Sequence, residues 1–232
     1  KLSCSPSTHA LETLLNPDDH GRRLDANHRL LWAAFTDGPD RQRDFLWRAE
    51  GEGVFLTLSA RPPQGSDLFE QPEVKPFAPA LGLGDRLAFT LRANATRTEK
   101  KGTLSTAGKE QKRHIDLVMD RLHGITGQSN LPSGERSDRP QKRMELAQAA
   151  ATDWLSGQGA RSGFRPIGAE VTDYSTVALP GHQNLRKKPQ FGILDLSGVL
   201  EVTDPAQFLD RVTQGFGRAK SYGCGLMLLR RA

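Results

Sequence analysis

Gly215-Phe216-Gly217-Arg218-Ala219-Lys220-Ser221-Tyr222-Gly223-Cys224-Gly225 holds four glycines in eleven residues. Glycine reaches positive φ without steric cost, so such a run can turn sharply and expose its backbone N–H groups. Its neighbours set the context. Asp204-Pro205 reads as an N-cap followed by proline at the first helical position. Phe208, Leu209 and Val212 then give one helical face, which Gly215 ends, and residues 225–230 form an apolar strand. The order is helix, glycine loop, strand. A nucleotide P-loop needs the opposite order and a glycine before Lys-Ser, where this chain has Ala219. A dinucleotide fingerprint fails on the same context. A permissive turn explains the glycines but not Arg218 and Lys220 with no nearby acid. A loop that clamps a nucleic-acid backbone explains both.

Outward from the loop, the rest of the chain fits the same closing pattern. Residues 171–179 and 191–202 read as strands, residues 144–155 as a helix and residues 114–118 as a further strand. Residues 126–140, rich in Gly, Ser and Pro, read as an insertion. In the first half, Phe45, Trp47 and Ala49 alternate with Asp44, Leu46 and Arg48. Gly51-Glu52-Gly53 supplies a turn, and Val54, Leu56 and Leu58 continue a hairpin. Leu87, Phe89, Leu91 and Ala93 mark another strand, and residues 1–4 a first one. Asp25 is a good N-cap for a helix over 25–35 with Leu24, Leu31 and Phe35 on one face, whereas Asp18-Asp19-His20 reads as a solvated loop. The expected fold class is α+β: two tandem ferredoxin-like (RRM-like) β-α-β-β-α-β domains, residues 1–96 and 97–232, meeting near 96–101.

The bulk composition is consistent with this and excludes some classes. Across 232 residues the hydrophobic share is 36%, with no apolar run near the ~18 residues that span a bilayer. Residues 1–6 hold no apolar signal-peptide core, and the missing initiator Met implies a few residues ahead of Lys1. Two unpatterned cysteines, Cys4 and Cys224, point to free thiols in a reduced, cytoplasmic setting rather than to a disulfide. The net charge is +5. Arg211, Arg218, Lys220, Arg230 and Arg231 follow one another without an acid, and Arg186-Lys187-Lys188 and Lys109, Lys112, Arg113 form two more clusters. Any one cluster alone reads best as a solvated face; together they are compatible with nucleic acid.

Six histidines are available as proton carriers near neutral pH: His9, His20, His28, His114, His123 and His182. None has metal-ligand spacing with a third partner, so no metal and no cofactor is expected. His28 falls in the first turn of a helix begun by Asp25, where free N–H groups attract phosphate and the dipole disfavours imidazolium. From spacing alone, a core histidine in the Leu24/Leu31/Phe35 stripe is the better reading.

Several ordered pieces nonetheless resemble one family. The run from Gly215 to Leu226, Arg43-Asp44-Phe45-Leu46-Trp47, Phe89-Thr90-Leu91-Arg92-Ala93-Asn94, and Gly198-Val199-Leu200 followed by Asp204-Pro205 resemble the CasE family of type I-E (Cascade) CRISPR systems. His28-Arg29-Leu30-Leu31-Trp32 is similar to that family's helix carrying the catalytic histidine. The resemblance implies two ferredoxin-like domains and an endoribonuclease that cuts precursor CRISPR RNA at a repeat hairpin. It implies 2′,3′-cyclic phosphate ends, retention of the guide RNA with the other Cascade subunits, and no membrane. His28 is then the catalytic candidate, with Arg29, Lys220 and Tyr222 candidates for charge stabilisation. Candidates for RNA binding are Gly215, Gly217, Arg218, Lys220, Ser221 and Gly223 of the loop, with Arg186, Lys187, Lys188, Lys112 and Arg113. One departure stands out: relatives often carry tyrosine where this chain has Asp25. Two rivals remain, a non-cleaving RNA-binding subunit and a basic protein-interaction module.

Overall fold

The computed structural model describes residues 1–9, 17–38, 42–104, 108, 110–126, 139–179 and 189–232. The elements are β1 (Leu2–Ser3), α1 (Pro6–His9), α2 (His20–Phe35), β2 (Phe45–Gly51), β3 (Val54–Ser59), β4 (Arg86–Ala93), β5 (Thr96–Leu104) and β6 (Glu110–Asp116). They continue with α3 (Leu117–Thr126), α4 (Arg139–Ala160), β7 (Phe164–Ala178), β8 (Gln190–Val202), α5 (Pro205–Gln214), a 3-10 turn (Lys220–Tyr222) and β9 (Met227–Arg231).

Two antiparallel sheets carry the fold. The first has the order β1-β3-β2, with β2 and β3 forming the expected hairpin around Gly51–Gly53. The second has the order β7-β8-β4-β9. Taken as strands one to four of a β-α-β-β-α-β unit, β4, β7, β8 and β9 stand in the sheet order 2-3-1-4, the ferredoxin-like arrangement. The first half, β1-α2-β2-β3, supplies the β-α-β-β part of the same plan. The fold class is α+β with tandem ferredoxin-like units.

Three expectations are corrected. First, β4 was assigned to a unit ending at residue 96, yet it is the strand between β8 and β9. Its alternation of buried and exposed residues fixes a half-buried strand but not the sheet it joins. That choice comes from long-range pairing such as Arg92 opposite Asp195, whose guanidinium and carboxylate meet through two bonds of 2.9 and 2.8 Å. Second, residues 96–101 are no junction. They belong to β5, which pairs with β6 in a separate two-stranded ribbon whose side chains are almost all exposed. The strand expected over 114–118 is the end of β6, and α3 starts at Leu117. Third, the first long helix begins at His20, not Asp25: Asp19 Oδ1 accepts the Arg22 N–H at 2.8 Å as the N-cap.

Each sheet has its own core. Phe89, Leu91, Trp154, Leu155, Phe208, Val212 and Phe216 pack in the second unit. Leu24, Leu31, Phe35, Phe45, Trp47 and Phe55 pack in the first, joined by Val177, Ile193 and Cys224 from the second half of the chain. The glycine-rich loop therefore reaches from one core, at Phe216, to the other, at Cys224. Cys4 and Cys224 are both free and buried. No helix among the described residues is long and apolar enough to cross a membrane.

Candidate active site

The loop's shape follows from what its backbone touches. Gly217 has φ 71°, and a Cβ there would lie 2.6 Å from the Asn94 carbonyl oxygen. Gly223 has φ 74°, and a Cβ would press on the Trp47 ring at 3.1 Å. Between them Ala219 also adopts a left-handed conformation, φ 54°, the one place in the loop where a side-chain-bearing residue does so. The Ala219 carbonyl accepts the Tyr222 N–H at 2.8 Å, closing the 3-10 turn Lys220–Tyr222. This turn packs against α2, which puts the loop beside the helix that carries His28.

His28 is half-buried in the third turn of α2, not the first, because the helix starts six residues earlier than the Asp25 cap implied. The helix-end argument for phosphate binding therefore does not apply to it. Its setting is aromatic: the ring centroid lies 6.1 Å from Trp32 and 6.4 Å from Phe45. Nε2 is buried without a hydrogen-bond partner. Burial is the main force holding its pKa below the ordinary 6.5. The Arg43 and Arg29 charges act in the same direction and Asp25 opposes them. At neutral pH the imidazole is uncharged and able to accept a proton.

The other expected residues lie on α2 and the 3-10 turn packed against it, and Arg43 joins them. Arg29 is exposed and paired with Asp25 at 3.0 Å. Lys220 is half-buried, its Nζ donating to the Gln214 carbonyl at 2.6 Å. Burial foremost, then Arg211 and Arg43, depress its pKa. Tyr222 packs on Phe191, ring centroids 5.2 Å apart, and burial followed by the Asp25 charge raises its pKa. Ser221 accepts a hydrogen bond from Arg43 Nη1 at 3.0 Å. Arg43 lies in the residues leading into β2 and had been noted only as part of a strand motif. Nothing in its local sequence marks it, since only the fold carries it to the loop.

The remaining candidates lie on the loop and on the β5–β6 ribbon. Arg218 is exposed, and its Nη1 donates to His114 Nε2 at 3.1 Å, tying the loop to the β5–β6 ribbon. Lys112 and Arg113 are exposed on that ribbon. Gly215 caps α5 with its N–H on the Arg211 carbonyl. Arg186, Lys187 and Lys188 lie outside the described residues, as do Lys109, His182 and most of the 126–140 insertion. Among the described residues, no cluster of His, Cys, Asp and Glu could hold a metal ion. His28 lines neither of two cavities, of about 1010 and 500 Å³.

The profile of a family described as CRISPR associated protein matches residues 5–231. The chain belongs to that family. Among its relatives, the CRISPR system Cascade subunit CasE of Escherichia coli (strain K12) is 27% identical over 209 residues, 87% of this chain and 89% of that one. This agrees with the CasE resemblance drawn from the loop and strands. The fold is shared with solved structures. CRISPR endoribonuclease Cse3 bound to a 19 nt RNA superposes with a TM-score of 0.64 at 24% identity, over 99% of this chain and 96% of that one. The CRISPR-associated protein Cas6e from Escherichia coli str. K-12 gives 0.60 at 21% identity, over 100% and 97%.

Proposed function

We propose that this family member is a metal-independent endoribonuclease that binds the hairpin of a CRISPR repeat and cuts the precursor RNA at its base. It then stays with the product as a subunit of a Cascade complex. The observation that carries the reading is the packing of α2 against the 3-10 turn, which brings a histidine held neutral to a loop bearing Lys220 and Tyr222. The relative named as a Cascade subunit and the RNA-bound endoribonuclease of the same fold support it.

The chemistry needs no group beyond RNA and side chains. His28 accepts the proton of the 2′-hydroxyl, whose oxygen attacks the adjacent phosphorus. The bond from phosphorus to the 5′-oxygen breaks, and that oxygen takes up a proton from water. The products are a 2′,3′-cyclic phosphate and a 5′-hydroxyl end. The unpartnered Nε2 of His28 is the atom that lacks a hydrogen-bond partner before RNA arrives. Lys220, Tyr222 and Arg29 would offset charge on the phosphorane. The loop backbone at Gly215, Gly217 and Gly223, with Arg218, Ser221, Lys112 and Arg113, follows the RNA strand. Arg186, Lys187 and Lys188 would extend that basic surface.

The inward-facing Nε2 also favours a second reading, a subunit that holds RNA without cutting it. One experiment separates the two. The purified chain is incubated with labelled repeat hairpins in excess EDTA, with and without a 2′-deoxy substitution at the cut site. Cleavage that persists in EDTA and vanishes with the 2′-deoxy RNA supports the nuclease. A gel shift without cleavage supports the second reading. Activity lost on chelation and restored by a divalent ion contradicts the metal-independent route.

A further inference from the structure

Arg43 stands in an environment that the rest of the fold does not balance. Arg43 is half-buried and lies close enough to His28 for its charge to lower that histidine's pKa. One of its five N–H donors is committed, to Ser221 Oγ at 3.0 Å. Neither Arg43 nor Lys220 is joined to a carboxylate among the described residues. Burial lowers the pKa of both, and the charge of Arg43 adds to that depression at Lys220. Proteins seldom leave two cations partly desolvated and facing each other, because each loses hydration without gaining a counter-ion. An anion between them removes that cost.

We propose that Arg43 is a catalytic residue that binds the non-bridging oxygens of the scissile phosphate and, opposite Lys220, stabilises the phosphorane. The proposal rests on the nuclease reading above. The free edge of the guanidinium matches two phosphate oxygens in a fork, which a lysine ammonium cannot do. The bond to Ser221 fixes that fork on the loop, so its donors are oriented before RNA binds. The phosphodiester carries one negative charge and the phosphorane carries two. The attraction of a preformed cation pair therefore grows along the reaction, which is what lowers a barrier rather than merely tightening binding. Arg43 moves no proton in this scheme: the 2′-hydroxyl proton goes to His28, and the 5′-oxygen is protonated as it leaves.

The test uses the full chain, a repeat hairpin, and the same hairpin with sulfur replacing one or the other non-bridging oxygen at the cut site. Arg43→Ala is expected to slow single-turnover cleavage on the order of 10²–10³-fold, the usual effect of removing one donor to a developing oxyanion. Affinity for the uncleavable 2′-deoxy hairpin should change far less. One sulfur substitution should slow the wild type and no longer slow Arg43→Ala. Arg43→Lys should fall between, keeping the charge and losing the fork. If Arg43→Ala does not fold, Arg43→Lys carries the sulfur comparison. A folded Arg43→Ala that cleaves at the wild-type rate overturns the proposal. So does one that is slow but keeps the full wild-type sulfur effect, since Arg43 would then only tether the loop. If His28→Ala is inactive while Arg43→Ala is normal, the nuclease reading stands without Arg43. If the wild type cuts no repeat hairpin, both readings fall.

Discussion

Two histidines lie on elements that meet the glycine-rich loop, each near an arginine, and they differ in what their nitrogens do. His114, exposed on β6, accepts from Arg218 at Nε2, which leaves the proton on Nδ1 to donate to Thr98 Oγ1; both distances are 3.1 Å. Its ring is fully used, as a link between ribbon and loop. His28 is half-buried, and its Nε2 has no partner. Both pKa values lie below the ordinary 6.5, each first through desolvation. Arg218 and Lys112 then add to the effect at His114, and Arg43 at His28. A depressed pKa therefore does not by itself single out the proposed base. The distinguishing property is a nitrogen left without a bond in a place that water reaches poorly. A buried donor or acceptor left unpaired costs about 1–3 kcal/mol, and a substrate that pairs it recovers that cost.

The sharpest way to break this contrast is to remove each ring. His28→Ala should lower the single-turnover cleavage rate on the order of 10²–10⁴-fold with little change in RNA affinity. Equal losses for His28→Ala and His114→Ala would erase the distinction.

Acidity should separate them next. Protonating His28 removes the base, and its pKa lies below 6.5. The rate should therefore hold as pH falls to that value and decline only beneath it. Asp25 is the neighbour that raises this pKa, so Asp25→Asn should move the decline to still lower pH. A shift toward higher pH would contradict the placement of Asp25 beside His28.

Stability of the helix that carries His28 should respond at its true start. Asp19→Ala removes a cap and should cost about 0.5–2 kcal/mol. Asp25→Ala breaks an i,i+4 surface pair and should cost about 0.3–0.5 kcal/mol. Thermal melts of both variants check the order, and the reverse order would restore Asp25 as the cap.

The smallest effects belong to the ribbon flank. Arg218→Ala should weaken binding of all RNA sequences alike and reduce the salt slope by about 0.7–0.9 if one phosphate contact is lost. His114→Ala should leave the rate at saturating RNA near the wild type and act only through Arg218. Binding isotherms at several salt concentrations, alongside single-turnover rates, measure both.

What the sequence made legible follows a physical divide. The glycine loop was readable because positive φ and close backbone approach demand glycine at Gly217 and Gly223, and that demand is local. The caps at Asp204 and Gly215 were readable for the same reason. The start of α2 was not. Asp19 and Asp25 are equally good caps, and the deciding contact is remote: Gly21 lies so close to β7 that a Cβ would sit 2.2 Å from the Ala178 carbonyl. Sheet membership of β4 was hidden because alternation reports a buried face and not a partner. His28 emerged through a motif, with spacing alone favouring a core histidine. Arg43 emerged through neither, because its partner Ser221 is 178 residues away in sequence and comes beside it only when the chain folds.

The position of β4 sets when this protein becomes competent. Leu87 pairs with Leu200 on one side and with Arg231 on the other. A ribosome that has made the His28 helix and the first hairpin has made no site, because the loop that faces His28 is anchored between α5 and β9. The second sheet must wait, with β4 lacking both neighbours, until almost the whole chain has emerged. Such non-local pairing folds slowly and leaves strand edges open to other chains in the meantime. Truncated translation products would therefore carry the proposed base without its loop, and a cell would see them as aggregation-prone debris.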